Sequence, residues 1–401
     1  MARLLVVTDN PFQRSAEGVF DQGCLDRAFF DDYAAAFDQV RVAARVLPAR
    51  SAGDLNRADG SGIGFVDLVA ARGPRWVLAP WWRYCRPLAA AIDWADALCV
   101  RLPAVSGWHA ARLARQRDKP VMFELIGDPL AAGRGSGLQR LSGLVQARRT
   151  RWITRHACAG SYVSRAHLQR RYPAAPGVPT ASISSIRLPQ AAFRPPRQAP
   201  AQPDRLRLIL VAAMLPVKNH LTLLDALARA RQQGLDLQLT LVGDGPLRPA
   251  IEACVAASGI GERVQLTGQP AARARVEAEL DRADLFIMPS WSEGMPRAAI
   301  EAMARGLPAL GSAVGGLREL LPDAQLFEPG DADGMVSLLR AFLDRTRYAH
   351  AATLCRQTAQ AFVADALSRR RQTVYRRLRL IAATRQAGSA PLAIDRMPIR
   401  G

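Results

Sequence analysis

The chain has 401 residues, of which 49% are hydrophobic, and carries 54 Lys plus Arg against 35 Asp plus Glu, a formal charge of +19. That length exceeds one ordinary core and predicts two domains, and the hydrophobic content excludes disorder as the default state. No apolar run of roughly 18 residues occurs, which excludes a transmembrane helix. The six scattered cysteines (Cys24, Cys85, Cys99, Cys158, Cys254, Cys355) form no Cys-x-x-Cys pair, which argues against a zinc site or disulfide framework and fits a reducing cytoplasm.

The N-terminus, Met1 to Asn10, opens on a short apolar run with no small-residue cleavage pattern behind it, so Arg3 to Thr8 is predicted as a buried parallel strand ending in a polar loop. Val40–Val46, Ala97–Arg101 and Pro120–Leu125 read as further strands, with Trp108–Arg117 among the helical stretches between them. Arg140, Arg148, Arg149, Arg151 and Arg155 crowd a stretch that also holds Leu138, Leu141, Leu144, Val145 and Trp152. Such a segment is either an amphipathic basic helix for an anionic membrane surface or a core-packed helix with a solvated face. Residues 188–204 hold five prolines and suit an extended interdomain linker. The alternation then restarts with strands at Leu206–Val211, Leu237–Val242, Val264–Thr267 and Leu285–Met288, and a helix at Leu221–Gln232. Ala359–Ala383 reads as a long last helix paved by Arg369, Arg370, Arg371, Arg376, Arg377 and Arg379, and Gly388–Gly401 as a frayed tail.

Strands alternating with helices imply an α/β fold with parallel sheets, divided as residues 1–187, a linker at 188–204, residues 205–358, a C-terminal helix at 359–387 and a flexible tail at 388–401. Doubly wound halves hold ligands at the carboxyl ends of their strands. The basic balance points to an anionic partner, although a general bias toward Arg, Ala and Gly gives the same numbers. Only Lys119 and Lys218 are lysines, which singles them out.

The stretch richest in chemistry is Ser292 to Met303, where Glu293 and Glu301 stand eight positions apart. Glu293 and Gly294 read as a loop, Pro296 as at or near the first helical position, and the rest as helix. Free N–H groups of such a first turn attract a phosphate. Glu293 is thus placed to meet a sugar, the backbone from Met295 to Arg297 a phosphate, and Glu301, roughly 8–12 Å along, the hydroxyls of a ribose.

This stretch resembles the Glu-x7-Glu motif of retaining glycosyltransferases of the GT-B fold, especially glycosyltransferase family 4. Arg305–Gly311 is similar to that family's next turn and strand, Val314–Leu320 to its glycine-rich loop, and Leu241–Pro246 to its strand–GDGP–helix turn. The matches cover roughly residues 205 to 345. The resemblance implies two Rossmann-like domains with parallel sheets facing across a cleft, and a last helix that crosses back to the first domain. It implies donor-phosphate binding by Lys218, with Ala213 standing where the family usually has an arginine. Gly243 and Gly245 then form a sharp strand–helix turn, beside which the plain reading of Asp244 is a cap for the helix that follows. Gly268 falls where backbone contacts the base, and Gly315 and Gly316 where backbone approaches the ligand closely. On the acceptor side, Gly18 falls where a glycine loop is expected. Asp128, in Gly127-Asp128-Pro129, is either an acceptor-side catalytic group or a helix or turn cap.

The resemblance implies a retaining hexosyltransferase with catalytic Glu293, Lys218 and Asp128, a UDP- or GDP-sugar donor and a lipid-linked glycan acceptor. Its setting is expected to be surface polysaccharide or glycolipid assembly on the inner face of a membrane. No metal cofactor is expected: the five histidines (His109, His156, His167, His220, His350) show no metal spacing, and the resembled fold works without one. No zinc-finger spacing, RNA-recognition aromatics or separate basic arm supports a nucleic-acid partner. An epimerase of the same fold, a non-catalytic sugar-nucleotide binder and a basic nucleic-acid-binding protein remain the alternatives.

Overall fold

Runs of aliphatic and β-branched residues bounded by polar turns become short parallel strands, and the longer amphipathic stretches between them become helices. The computed structural model describes residues 1–21, 23, 25–49, 55–68, 81–130, 137–202, 205–270 and 273–387. The expected tail at 388–401, Cys24, the linker's last proline and the side chain of Leu138 lie outside the described residues. The chain divides into two units: Met1–Ser184 together with Leu367 onward, and Ser185–Ala366.

In the first unit the described residues form a nine-stranded sheet. Its strands are β1 (Arg3–Ser15), β2 (Gly18–Asp21), β3 (Gln39–Pro48), β4 (Asn56–Arg57), β5 (Ile63–Leu68), β6 (Ala97–Leu102), β7 (Val121–Leu125), β8 (Ala159–Tyr162) and β9 (Thr180–Ser182). β1 is central and parallel to both β3 and β6. Leu4, Leu5, Val6 and Val7 have no exposed surface, and burying each such side chain contributes about 1.5–3 kcal/mol. β1 does not stop in a loop after Thr8. Its register with β3 shifts between Val7 and Pro11, and the strand then runs on to Ser15 and folds back as a hairpin. Phe12 holds this extension down, buried among Phe30 and Phe65 with the Phe65 ring 4.9 Å away, edge-on.

Two charged residues lie mid-strand in the interior. Arg101 on β6 and Glu124 on β7 are register partners and form a buried ion pair. Tyr33 donates to Glu124 Oε1 at 2.9 Å, and Tyr375 donates to the same oxygen at 2.6 Å. The two phenol rings stack 4.4 Å apart. Tyr375 and Arg371 belong to the last helix, Ala364–Gln386, and Arg371 pairs with buried Asp32 at 3.2 Å. The last helix is therefore a structural part of the first unit. Burial, then the Glu124 charge, pushes both phenols well above their ordinary pKa, so they remain donors.

The second unit is a six-stranded parallel sheet of β10 (Arg205–Val211), β11 (Asp236–Val242), β12 (Val264–Gly268), β13 (Leu285–Met288), β14 (Ala309–Ser312) and β15 (Leu326–Phe327). The spatial order is β12-β11-β10-β13-β14-β15. The chain winds outward from β10 in one direction, then returns beside it at β13 and winds in the other. The proline-rich stretch read as a free linker is held along this unit. Leu188 bridges to Val363, Arg194 N donates to Ala304 O at 2.9 Å, and Arg197 N donates to Gly306 O at 2.8 Å.

Candidate active site

Strand order reverses between β10 and β13, and the carboxyl ends of strands at such a reversal are the usual ligand position of such sheets. The loop after β10 carries Lys218 and the loop after β13 carries Glu293. Backbone and side chain tie the loops together: Trp291 N donates to Val217 O at 2.8 Å, and Asn219 Nδ2 to Pro289 O at 3.1 Å. Asn219 holds a left-handed conformation, φ 55° and ψ 42°, at the start of the His220–Gln232 helix, a region that asparagine tolerates better than most residues.

The structure brings Lys218 and Glu293 into direct contact. Lys218 Nζ lies 2.7 Å from Glu293 Oε1, and Ser290 Oγ donates to that same oxygen at 2.6 Å. Glu293 is buried, and Lys218 retains 23% side-chain exposure. A buried carboxylate held by a cation and a hydroxyl is fixed in place while the cation stays reachable from solvent. Next comes the helix Arg297–Ala304. Pro296 is its N-cap, at φ −74° and ψ 102°, rather than its first helical residue, and no side chain caps the turn. Proline has no N–H, so the donors available to an anion come from residues beside it, starting with Met295 and Arg297. Glu301 lies one turn further, about 6 Å along the axis from Arg297, half-buried and 3.9 Å from Arg273. Burial pushes its pKa up, opposed by Arg297 and Arg273.

The glycines bring neighbouring backbone segments of the site together. A Cβ on Gly315 would collide with the carbonyl oxygen of Glu293, and one on Gly316 with that of Gly294. Gly316 N also donates to Glu293 O at 3.2 Å. These residues let the loop after β14 lie against the Glu293–Gly294 backbone, so they shape the site through the protein. Gly243 and Gly245 act likewise on the loop after β10: both have positive φ, and side chains there would run into the carbonyls of Ala212 and Met214. Gly243 N donates to Gly268 O at 2.9 Å, and Gly268, at φ +70°, ends β12. Ala213, at the place expected for arginine, is exposed. Asp244 is not the helix cap it was expected to be. The helix starts at Arg248 with Leu247 at its cap position, and Asp244 instead accepts from Gly245 N at 2.7 Å and pairs with Arg248 at 3.2 Å.

Three neighbours of the pair had little signal in the sequence. Ser290 is a lone serine at a strand end, buried and aimed at Glu293. Trp291 contributes its backbone rather than its ring to the loop pinning. His220 is buried beside Lys218, and its Nδ1 has no hydrogen-bond partner among the described residues. Burial, then the charge of Lys218, lowers its pKa from 6.5 to about 4.

In the first unit, Asp128 is buried and well partnered. Oδ1 accepts from Tyr172 Oη at 2.6 Å and Leu130 N at 3.0 Å, and Oδ2 pairs with Arg171 at 3.2 Å. The Leu130 contact is the turn cap that the sequence left open. Gly18 closes the β1–β2 hairpin opposite Ser15 with φ +143°, and a side chain there would press on the Asp59 carboxylate. Among the described residues no group of three or more His, Cys, Asp or Glu side chains comes together in a way that could hold a metal ion.

Comparison with known proteins follows the same geography. The family model for glycosyl transferases group 1 matches residues 205–345, the second unit's sheet and its loops. Protein CapJ of Staphylococcus aureus is 23% identical over 349 residues, covering 86% of this chain and 88% of that protein. The amylovoran biosynthesis glycosyltransferase AmsK of Erwinia amylovora is 32% identical over 153 residues, 36% of this chain and 37% of its own length. Among solved structures, Anabaena HepE in complex with UDP and glucose has a TM-score of 0.65 at 16% identity, covering 96% of this chain and all of that one.

Proposed function

Taking as premise that the chain is a group 1 glycosyltransferase of GT-B fold, we propose that it moves a hexose-type sugar from a UDP- or GDP-linked donor, with retained anomeric configuration, to a lipid-linked glycan acceptor. The observation that carries this reading is the convergence, at the reversal point of the second sheet, of Lys218, Glu293, an uncapped helix N-terminus and Glu301. The order of groups matches the order of a sugar nucleotide: carboxylate for the sugar, cation and amides for the diphosphate, carboxylate for the ribose diol. The UDP and glucose held by the HepE structure and the amylovoran role in the AmsK name support the donor class and a surface-polysaccharide setting.

In the proposed reaction the bond between the anomeric carbon and the phosphate oxygen breaks first. Positive charge grows on the sugar ring and negative charge on the diphosphate. Lys218 and the first-turn N–H groups stabilise the departing diphosphate, which needs donors already in position. Glu293 orients sugar hydroxyls and offsets the ring charge. The acceptor hydroxyl bonds to the same face of the sugar, and its proton passes to the departing phosphate. Asp128 and Gly18 are the acceptor-side candidates. These steps use the chain's own cation and amides and no bound metal.

A lipid-linked acceptor brings the enzyme to a membrane. Among the described residues no helix is long and apolar enough to cross one. The Gly137–His156 helix instead exposes Leu141, Leu144 and Val145 beside Arg148 and Arg155, an apolar and basic face suited to an anionic leaflet. We place the enzyme peripherally on the cytoplasmic side.

A thermal-shift panel with UDP, GDP and their hexose conjugates tests the donor. One nucleotide should raise the midpoint, and Glu301→Ala should abolish the rise. Glu293→Gln should keep donor binding and reduce turnover by about a hundred-fold. Wild-type kinetics in both variants would remove the assignment.

A further inference from the structure

The first unit holds a cavity of about 320 Å³ at the amino end of β7, the opposite end of that strand from Asp128. Three helices finish around it. Val105–Gln116 brings Arg115, Gly137–His156 brings Trp152 and His156, and the last helix brings Arg385. The turn before β7 supplies Asp118, in a left-handed conformation with φ 50°, and Lys119, one of only two lysines in the chain. Ala111, Val121, Ile153 and Ala157 also line it.

The charge on this wall is unbalanced. Asp118 is the one acidic residue lining it, 92% exposed, and it reaches only Arg385, at 3.4 Å. Helix C-termini favour nearby cations, which accounts for part of Arg115 and Arg385. It does not account for Lys119, which sits in a turn and has no ion-pair partner among the described residues. Arg115 likewise has no carboxylate partner among them, and its guanidinium lies 5.9 Å from the centre of the Trp152 ring. His156 stacks on the Trp152 ring at 4.3 Å and is fixed by a 2.7 Å contact from Nδ1 to Trp152 O. Trp152 and His156 thus line the hollow together with Arg115, Lys119 and Arg385. A compact ammonium beside two guanidinium groups is a donor set for phosphate oxygens.

We propose that this cavity is a second anion site, distinct from the donor site of the other unit, and that it takes a small phosphate-bearing ligand between Lys119, Arg115 and Arg385. Its occupant bridges the end of the last helix to the body of the first unit. The phosphate is carried either by a soluble phosphorylated compound or by the headgroup of an anionic lipid. The Gly137–His156 helix, which bears both the cavity wall and the exposed leucines, makes the second source worth a separate arm.

The test is calorimetric titration of the intact protein with inorganic pyrophosphate at fixed ionic strength, alongside flotation with phosphatidylcholine vesicles containing phosphatidylglycerol. Wild type should show two pyrophosphate events. Lys119→Gln should weaken one about ten-fold and leave the other, which Lys218→Gln should remove; one charge-assisted hydrogen bond has about that worth. Arg385→Gln should act on the same event as Lys119→Gln. Arg370→Gln, an exposed charge elsewhere on the last helix, should change neither. Loss of flotation in Lys119→Gln with pyrophosphate binding intact assigns the site to a lipid headgroup. A single event removed by Lys218→Gln, with Lys119→Gln without effect on titration or flotation, overturns the proposal. An equal loss in Arg370→Gln does the same, because the binding then reflects the net charge of the chain.

Discussion

His220 makes the stability of the second unit depend on pH in a direction and size that can be worked out. The side chain is 1% exposed, sits at the first position of its helix, and has Lys218 as its charged neighbour. In the unfolded chain its pKa returns to about 6.5; in the fold it is about 4. The folded state therefore resists protonation, the unfolded state takes up the proton first, and stability is complete above about pH 6.5 and lost as pH falls toward 4. The whole difference is worth roughly 3 kcal/mol, and between about pH 7 and pH 4.5 roughly 2 kcal/mol of it should disappear. His220→Leu removes the titrating group together with a ring nitrogen that has no partner. Thermal midpoints of wild type and variant should be measured at both pH values in the same salt. Other groups titrate equally in the two proteins, so the difference between their acid losses isolates His220. The variant should lose several degrees less than wild type on acidification. Parallel losses would refute the argument, because the ring would then protonate in the fold as easily as in water.

Glu301→Ala should raise the donor KM with a smaller effect on kcat, since the ribose contact is present before and during transfer. Because burial holds the Glu301 pKa above the ordinary carboxylate value, donor affinity should begin to fall on acidification at a higher pH than an exposed glutamate would give, and Glu301→Gln should flatten that titration. Gly316→Ala should destabilise the second unit by about 1–3 kcal/mol, from a side chain driven into the Gly294 carbonyl. It should lower turnover as well, because the displaced Gly294 backbone directly follows Glu293; unchanged turnover in a folded Gly316→Ala protein would show that the loop contact does not position the carboxylate. Tyr375→Phe removes a 2.6 Å donor from buried Glu124 and should cost about 1.5–3 kcal/mol in chemical denaturation. A loss within error would mean that water replaces the phenol.

The parallel α/β character was legible because buried strands announce themselves as short aliphatic runs, as in Leu206–Val211 and Leu285–Met288, which became β10 and β13. Pairing between Lys218 and Glu293 was not legible. They are 75 positions apart, and only the winding reversal places their loops side by side. The protein contacts of Gly315 and Gly316 were not legible for a related reason: glycine reports that backbone comes close, but not whose backbone. Arg101, Glu124, Tyr33 and Tyr375 escaped notice altogether. A charged residue in the middle of an apolar strand weighs little in a hydrophobicity pattern, and the partners of Glu124 lie 23, 91 and 251 positions away from it. Asp244 looked like a cap by its neighbourhood, but the turn takes three more residues to reach the helix, and the carboxylate is spent on Gly245 and Arg248.

The Glu124 hub also sets an order on biosynthesis. The second unit is one continuous piece, Ser185 to Ala366, so every residue it needs has been made before the last helix leaves the ribosome. The first unit, although translated earliest, lacks Arg371 and Tyr375 until then. Its nascent sheet carries Glu124 with one phenol missing and an Asp32 without its arginine, the kind of unfinished polar interior that keeps an intermediate loose. The domain that is born first is finished last, and a premature stop a few dozen residues from the end would spoil the beginning of the protein while sparing its middle.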